Sequence, residues 1–307
     1  MILALSGGTG GSKMVDGLAQ VAGQPDLTAV VNTGDDGDFF GLRVCPDLDI
    51  CTYVLAGVVA ERGWGYAGDT FRCLEGLATY GRDAWFGLGD RDLATHIHRT
   101  LRLAEGATLT QVTAEICASL GVEATVLPMT DDPVRSRITT PDGHRTFQEY
   151  LVRDGASAEI TSIRMEGIES ARPAAGLLEA VAAAERIVIV PSSPVVSIGT
   201  ILAVPGVRDA MRARRADTVA VSPIIGGAPV EGPADRFLRG AGFPECSATQ
   251  MARIYADVAA TFVLDDADAG EVPAIEALDM RAVLTDALMP DRPARARLAA
   301  AALEAVG

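Results

Sequence analysis

Five cysteines, Cys45, Cys51, Cys73, Cys117 and Cys246, are an odd number and contain no Cys-x-x-Cys pair. The chain therefore lacks the material for a disulfide framework or a thiolate zinc site. No apolar run reaches bilayer-spanning length, and the N-terminal run is too short for a secretory leader. A cytoplasmic location is expected. Cations are scarce: 26 Lys and Arg face 41 Asp and Glu, which leaves a formal net charge of -15 and a pI of about 4.6. Such a balance argues against nucleic acid or an anionic membrane as partner. A phosphate-bearing ligand would approach against this field, so only local devices would hold it: helix N-termini, a few placed cations, or a divalent ion on carboxylates. Internal repeats and low-complexity linkers are also missing.

What is present describes a compact globular chain, with 49% hydrophobic and 22% charged residues and a mean hydropathy of +0.23. Its 307 residues bury a substantial core. One α/β domain over residues 1–307 is expected, with an inserted subregion at about 122–170.

The chain is organised around Met1-Ile-Leu-Ala-Leu-Ser-Gly-Gly-Thr-Gly-Gly-Ser-Lys13. Ile2 to Leu5 reads as a strand buried on both faces. Gly7, Gly8, Gly10 and Gly11 follow as a loop, and a helix is expected to begin near Ser12 with its free N–H groups aimed at an anion. Lys13 adds a point charge. The loop fits neither the dinucleotide fingerprint nor the P-loop, because Lys13 stands where a glycine is needed for the first and the Gly-Lys-Ser/Thr order is broken for the second. The bland alternative is a tight strand-to-helix turn.

A second strand, Leu27 to Val31, leads into Asn32-Thr-Gly-Asp-Asp36, and Pro46-Asp-Leu-Asp49 follows after a proline read as a stop. The ends of adjacent parallel strands share one rim, so Asp35 and Asp36 should lie beside the glycine loop. With Asp47 and Asp49 they suggest a hard-cation site, against the plainer reading of loop and cap residues. Asp69 is expected to cap a helix from Thr70 to Tyr80. Trp85 to Leu88 reads as a strand, and Asp92 as the cap of a helix from Leu93 to Ala104. Asp90 and Arg91 would then face a ligand, whereas His96 reads more readily as a packed helical residue.

A helix is expected over Leu109 to Leu120. Ala124 to Leu127, Arg137 to Thr140 and Phe147 to Val152 then read as strands of an antiparallel insertion, with a turn at Pro141-Asp-Gly143. The α/β rhythm resumes with a helix from Ala174 and strands at Ile187 to Val190 and Val219 to Val221. Small-residue loops follow these strands at Pro191-Ser-Ser-Pro194, Ser222 to Gly227 and Gly232-Pro-Ala-Asp235. The apolar stretch Thr261 to Leu264 and an alanine-rich helix from about Pro293 read as packing. The expected architecture is a Rossmann-like, mainly parallel sheet with helices on both faces.

Taken together, Gly7-Gly-Thr-Gly-Gly-Ser-Lys13, Asn32-Thr-Gly-Asp-Asp36, Pro46-Asp-Leu-Asp49, Gly89-Asp-Arg-Asp-Leu-Ala-Thr-His96, Leu127-Pro-Met129, Ser197-Ile-Gly199 and Gly232-Pro-Ala-Asp235 resemble the 2-phospho-L-lactate transferase (CofD-type) family of deazaflavin coenzyme F-420 biosynthesis. The resemblance implies Mg²⁺-dependent transfer of a phospho-lactate-type group (phospholactyl, phosphoenolpyruvyl or phosphoglyceryl) from a guanosine diphospho-ester to the ribityl hydroxyl of Fo, with release of GMP. It implies catalytic roles for Asp35, Asp36, Asp90 and Arg91 and metal ligation by Asp36, Asp47 and Asp49. Nucleotide and ring would be held by Gly8, Thr9, Gly10, Gly11, Lys13, Asn32, Ser193, Gly226 and Gly227. A homodimer is the expected assembly. Thr200 and Glu231 depart from the pattern, which often has proline and lysine there. The competing class is a non-catalytic, nucleotide-sugar-binding regulator of the same superfamily.

Overall fold

The computed structural model describes residues 1–61 and 63–306. The first half runs through β1 (Ile2–Ser6), α1 (Gly8–Ala22), β2 (Leu27–Val31), a hairpin of β3 (Gly37–Phe39) and β4 (Leu42–Val44), α2 (Pro46–Leu55), α3 (Arg72–Thr79), α4 (Asp90–Ala104), α5 (Leu109–Ser119) and β5 (Thr125–Pro128). A three-stranded antiparallel sheet follows, built from β6 (Arg135–Thr140), β7 (Gly143–Thr146) and β8 (Ser162–Glu166). Next come α6 (Leu177–Ala183), β9 (Arg186–Ile189), α7 (Ile198–Ala203), α8 (Val207–Ala213) and β10 (Thr218–Val221). The tiny hairpin β11 (Ile224–Ile225) and β12 (Ala228–Pro229) precedes α9 (Ala234–Gly240) and α10 (Ala248–Tyr255). The chain ends with β13 (Thr261–Asp265), α11 (Val272–Glu276), β14 (Arg281–Thr285) and α12 (Arg292–Ala305).

Seven strands form one parallel sheet in the order β14-β13-β10-β9-β1-β2-β5. The chain lays β2 and β5 to one side of β1, then reverses and lays β9, β10, β13 and β14 to the other. Such a reversal leaves a crevice outside the carboxyl ends of β1 and β9. The apolar run of β1 is explained by burial on both faces. Leu3 and Leu5 enter a core with Leu177, Ile201 and Met211, while Ala4 enters a second core with Met14, Leu18 and Leu298. Helix α1 lies against α12 at Gly17, where a Cβ would stand 2.3 Å from the Arg295 carbonyl oxygen. Buried Asp16 holds the pair further, through Arg292 at 2.9 Å and Arg295 at 3.0 Å.

Several expectations are corrected. Trp85 to Leu88 is irregular chain, not a strand. Its aromatic rings pack on the β3–β4 hairpin, with Phe86 stacked 4.0 Å from Phe39 and Trp85 at 5.5 Å from the same ring, so side-chain contacts replace a sheet partner. Phe147 to Val152 is also not a strand, because residues Glu149–Arg153 form a π-helical turn. The third antiparallel strand is β8 instead, and the strand near residue 124 belongs to the main sheet through β2. The apolar stretch at Thr261 is the inner strand β13. The edge strand β14, half-exposed and carrying no clean alternation, had no expectation.

Candidate active site

Helix α1 begins at Gly8, four residues earlier than expected, so Gly8, Thr9, Gly10 and Gly11 form its first turn and not a free loop. The reason is close packing against the segment that leaves β9. A Cβ at Gly11 would lie 2.3 Å from Ser192 Oγ and 2.6 Å from Ser6 Oγ, and one at Gly7 would lie 2.7 Å from Ser197 Cβ. Ser192 closes the junction by donating its hydroxyl to the Gly7 carbonyl at 2.6 Å, and it accepts from the Gly7 N–H at 3.3 Å. Only Gly8 in this turn needs the left-handed region, with φ of 65°. Lys13 is paired with Glu231, whose carboxylate also stands 3.5 Å from where a Gly10 Cβ would be.

The acidic segment gathers beside this helix start. Pro46, read as a stop, is instead the N1 residue of α2, where proline is favoured because no N–H is needed there. Asp47 and Asp49 therefore lie in the first turn of a helix. Asn32, at the end of β2, donates one amide nitrogen to Asp35 Oδ2 at 3.1 Å and to Asp47 Oδ2 at 2.9 Å, and its oxygen accepts from the Gly34 N–H at 2.9 Å. Asp47 Oδ2 also stands 2.9 Å from where a Gly7 Cβ would be, which sets the carboxylates against the α1 terminus. Asp35, Asp36, Asp47 and Asp49 are all buried. Burial pushes the Asp47 carboxyl up to about 6, opposed by the hydrogen bonds from Asn32 and Gly8. Burial pushes Asp36 up to about 7 against the Cys45 thiol, Arg135, Arg99 and Arg43. Asp35 is raised well above the usual range by burial and then by the charge of Asp47.

Asp49 differs from the other three. Arg99, fully buried on α4, grips both of its oxygens, with Nη1 3.3 Å from Oδ2 and Nη2 on Oδ1. The same guanidinium lies 3.2 Å from His96 Nδ1, and His96 Nε2 is 3.3 Å from Asp92, which accepts from the Tyr53 hydroxyl at 2.7 Å. His96 is thus a packed member of a buried network. Arg99 was missed in the sequence, although Asp92, His96 and Arg99 stand at helical spacing on one face, which is the signal for a shared buried stripe.

Arg99 already holds both oxygens of Asp49, which sets this residue apart from the other expected metal ligands. Among the described residues no group of three or more His, Cys, Asp or Glu side chains is arranged to hold an ion. Asp35 and Asp47 converge on one amide, and Asp35 Oδ1 and Asp36 Oδ1 are buried without a hydrogen-bond partner among the described residues. Two carboxylates completed by substrate phosphate oxygens are a usual seat for Mg²⁺, so Asp35 and Asp47 fit that ion, with Asp36 beside them.

Among the described residues the side chains of Asp90 and Arg91 hydrogen-bond only within residues 67–73. The structure ties them to α3 and not to the Asn32 cluster. The expected caps are exchanged: Asp69 does not cap α3, and Asp92 lies inside α4, whose N-cap is Gly89. Ser193 accepts from the backbone of Val195 and Val196, so it shapes a turn while Ser192 faces the glycines. Gly226 and Gly227 form the positive-φ turn of the β11–β12 hairpin, and Gly226 N–H is held by Asp268 at 2.9 Å.

The family model described as 2-phospho-L-lactate transferase CofD matches residues 2–286. A phosphoenolpyruvate transferase of Streptomyces griseus subsp. griseus is 46% identical over 310 residues, covering 99% of this chain and 97% of that protein. One from Mycobacterium avium is 42% identical over 335 residues, covering 100% and 98%. Among solved structures, a UPF0052 family member from Bacillus halodurans shares the fold with a TM-score of 0.68 at 18% identity, covering 98% of each chain. The chain belongs to the CofD family of 2-phospho-L-lactate transferases.

Proposed function

We propose that this chain transfers a phosphoenolpyruvyl group from a guanosine diphospho-ester to the terminal ribityl hydroxyl of the deazaflavin Fo, in coenzyme F-420 biosynthesis. A CofD-type transferase of phosphoenolpyruvyl or lactyl-phosphate groups is what the family match and the named relatives support. The enolpyruvyl choice follows those relatives. The observation that carries the reading is the bridge from Asp35 through Asn32 to Asp47, whose Oδ2 stands 2.9 Å from where a Gly7 Cβ would be. It sets buried carboxylates against the start of a fifteen-residue helix at the switch point of the sheet.

In this reading the donor diphosphate lies along the α1 start, with Lys13 released from Glu231 to meet it. Asp35 and Asp47 would hold Mg²⁺, which would supply charge neutralisation on the phosphates. The ribityl oxygen attacks the phosphorus that bears the enolpyruvyl group, its proton passes to Asp36, and the anhydride P–O bond breaks so that GMP leaves with the electron pair. A carboxyl poised near 7 is suited to that proton transfer at neutral pH. The nucleoside is assigned to the turn at Gly226 and Gly227.

The test is incubation with Fo, Mg²⁺ and the guanosine diphospho-esters of enolpyruvate, lactate and glycerate in separate reactions, followed by mass spectrometry. Fo should gain an enolpyruvyl phosphodiester with one GMP released per turnover. Tight binding of all three donors with no product would identify a non-catalytic binding protein instead.

A further inference from the structure

Arg135 opens β6, and the next residue fastens that strand to the catalytic loop, since Ser136 N–H donates to the Gly34 carbonyl at 2.7 Å. Arg135 therefore stands beside Asp35 and Asp36. The residue is half-buried, and among the described residues its guanidinium bonds only the carbonyl of Val134, at 2.6 Å. Among the described residues it makes no ion pair, although the chain carries 41 acidic residues against 26 cations. The charged groups facing it are Asp36, Asp38 and a second arginine, Arg43, which is held by Asp38 through Nε at 2.7 Å. Burial depresses the Arg135 pKa, Asp36 opposes this and Arg43 adds to it. Asp38 is taken up by Arg43 and Asp36 makes no ion pair with either arginine, so among the described residues the Arg135 guanidinium stands beside the loop of Asp35 and Asp36 without an ion-pair partner.

The donor proposed above carries two kinds of anion. The α1 start and Lys13 serve the diphosphate, which leaves the carboxylate of the three-carbon acid. A planar guanidinium matches a carboxylate with two parallel hydrogen bonds. We propose that Arg135, assisted by Arg43, binds the carboxylate of the three-carbon acid on the donor and so selects an acid over a neutral ester. This rests on the proposed transfer reaction and names the specificity element of that site.

The experiment compares three ligands by calorimetry on wild type, Arg135→Gln and Arg135→Lys: GDP, the guanosine diphospho-ester of enolpyruvate, and the isopropenyl ester of GDP, in which methyl replaces the carboxylate. Arg135→Gln should weaken the enolpyruvyl ester by about 10- to 100-fold, the loss of a charge-assisted pair, while GDP and the isopropenyl ester change less than about twofold. Arg135→Lys should recover part of the loss. In turnover the same variant should raise the donor KM more than it lowers kcat. Equal weakening of GDP would assign the arginine to the diphosphate and overturn the proposal. A rise only in the Fo KM would assign it to the acceptor, and equal loss of kcat with both esters would reduce it to a counter-charge for Asp36; either outcome also overturns it. The binding arm stands apart from catalysis, so a wild type that binds the esters but fails to modify Fo sinks the transfer reaction and still decides the role of Arg135.

Discussion

Asp69 and Asp90 cap each other's helices. Asp69 lies just before α3, yet its carboxylate accepts from the backbone N–H groups of Arg91 at 2.9 Å and Asp92 at 3.2 Å, at the start of α4. Asp90, the first residue of α4, accepts from Arg72 at 3.2 Å and Cys73 at 3.0 Å, at the start of α3. Each helix start is therefore satisfied by the other's segment. Asp69→Ala should cost about 1 kcal/mol in denaturant unfolding, as a lost cap does. Asp90→Ala should also destabilise, and the double variant should fall short of the sum, because the first loss already frees both segments.

Asp36 and Asp47 make stability depend on pH in an unusual direction. Their folded-state values of about 7 and about 6 lie above the ordinary carboxylate range, so the folded chain keeps protons that the unfolded chain releases. That contribution is fully present below about pH 4 and is lost as pH rises through 6 to 7. Melting of the metal-free protein should show a decline across this window, and Asp36→Asn should flatten it by stabilising at pH 8 and not at pH 4. Added Mg²⁺ should raise the melting temperature more at pH 8 than at pH 5. An equal rise at both would separate ion binding from these carboxylates.

Arg99 and Asp49 form a buried pair that tolerates loss of neither partner alone. Arg99→Ala strands a carboxylate away from water and should destabilise by about 3–5 kcal/mol. Adding Asp49→Asn should return a large part of that loss. Additive losses in urea unfolding would show that the pair is not coupled.

Glycines of one helix separate packing from binding. Gly17→Ala drives a methyl into the Arg295 backbone, which has no room to yield, and should lower stability by about 1–3 kcal/mol. Gly10 is less confined, with the Pro191 carbonyl oxygen 3.0 Å from where a Cβ would stand. Gly10→Val should leave a folded protein that has lost affinity for guanylated donors, measured by calorimetry, while still taking up Fo.

The sheet was legible wherever a strand is buried on both faces, as at β1, β2, β9 and β10, because a short, unbroken apolar run is stable in water only when both of its faces are covered. Trp85 to Leu88 misled for a physical reason: aromatic residues with strand preference are satisfied equally by stacking on Phe39. Pro46 misled because proline ends one element and begins another with the same ring geometry. The grouping of Asn32, Asp35 and Asp47 near the glycines followed from strand order. The capture of Asp49 by Arg99 did not, since the two are fifty residues apart and only tertiary packing joins them. Arg135 and the pairing of Glu231 with Lys13 were hidden likewise, one by an insertion and the other by the bend between β12 and α9 that reaches back to α1.

Lys13 is the single lysine in the sequence. Apart from it, only the Met1 amine, paired with Glu185 at 3.0 Å, offers a primary amine to reagents. Acylation chemistry applied to the whole protein therefore addresses one side chain, and its rate follows whether that amine is clasped by Glu231, released, or covered by an incoming anion. A mass spectrum of the intact chain becomes a direct gauge of occupancy at the α1 start, with no engineered label.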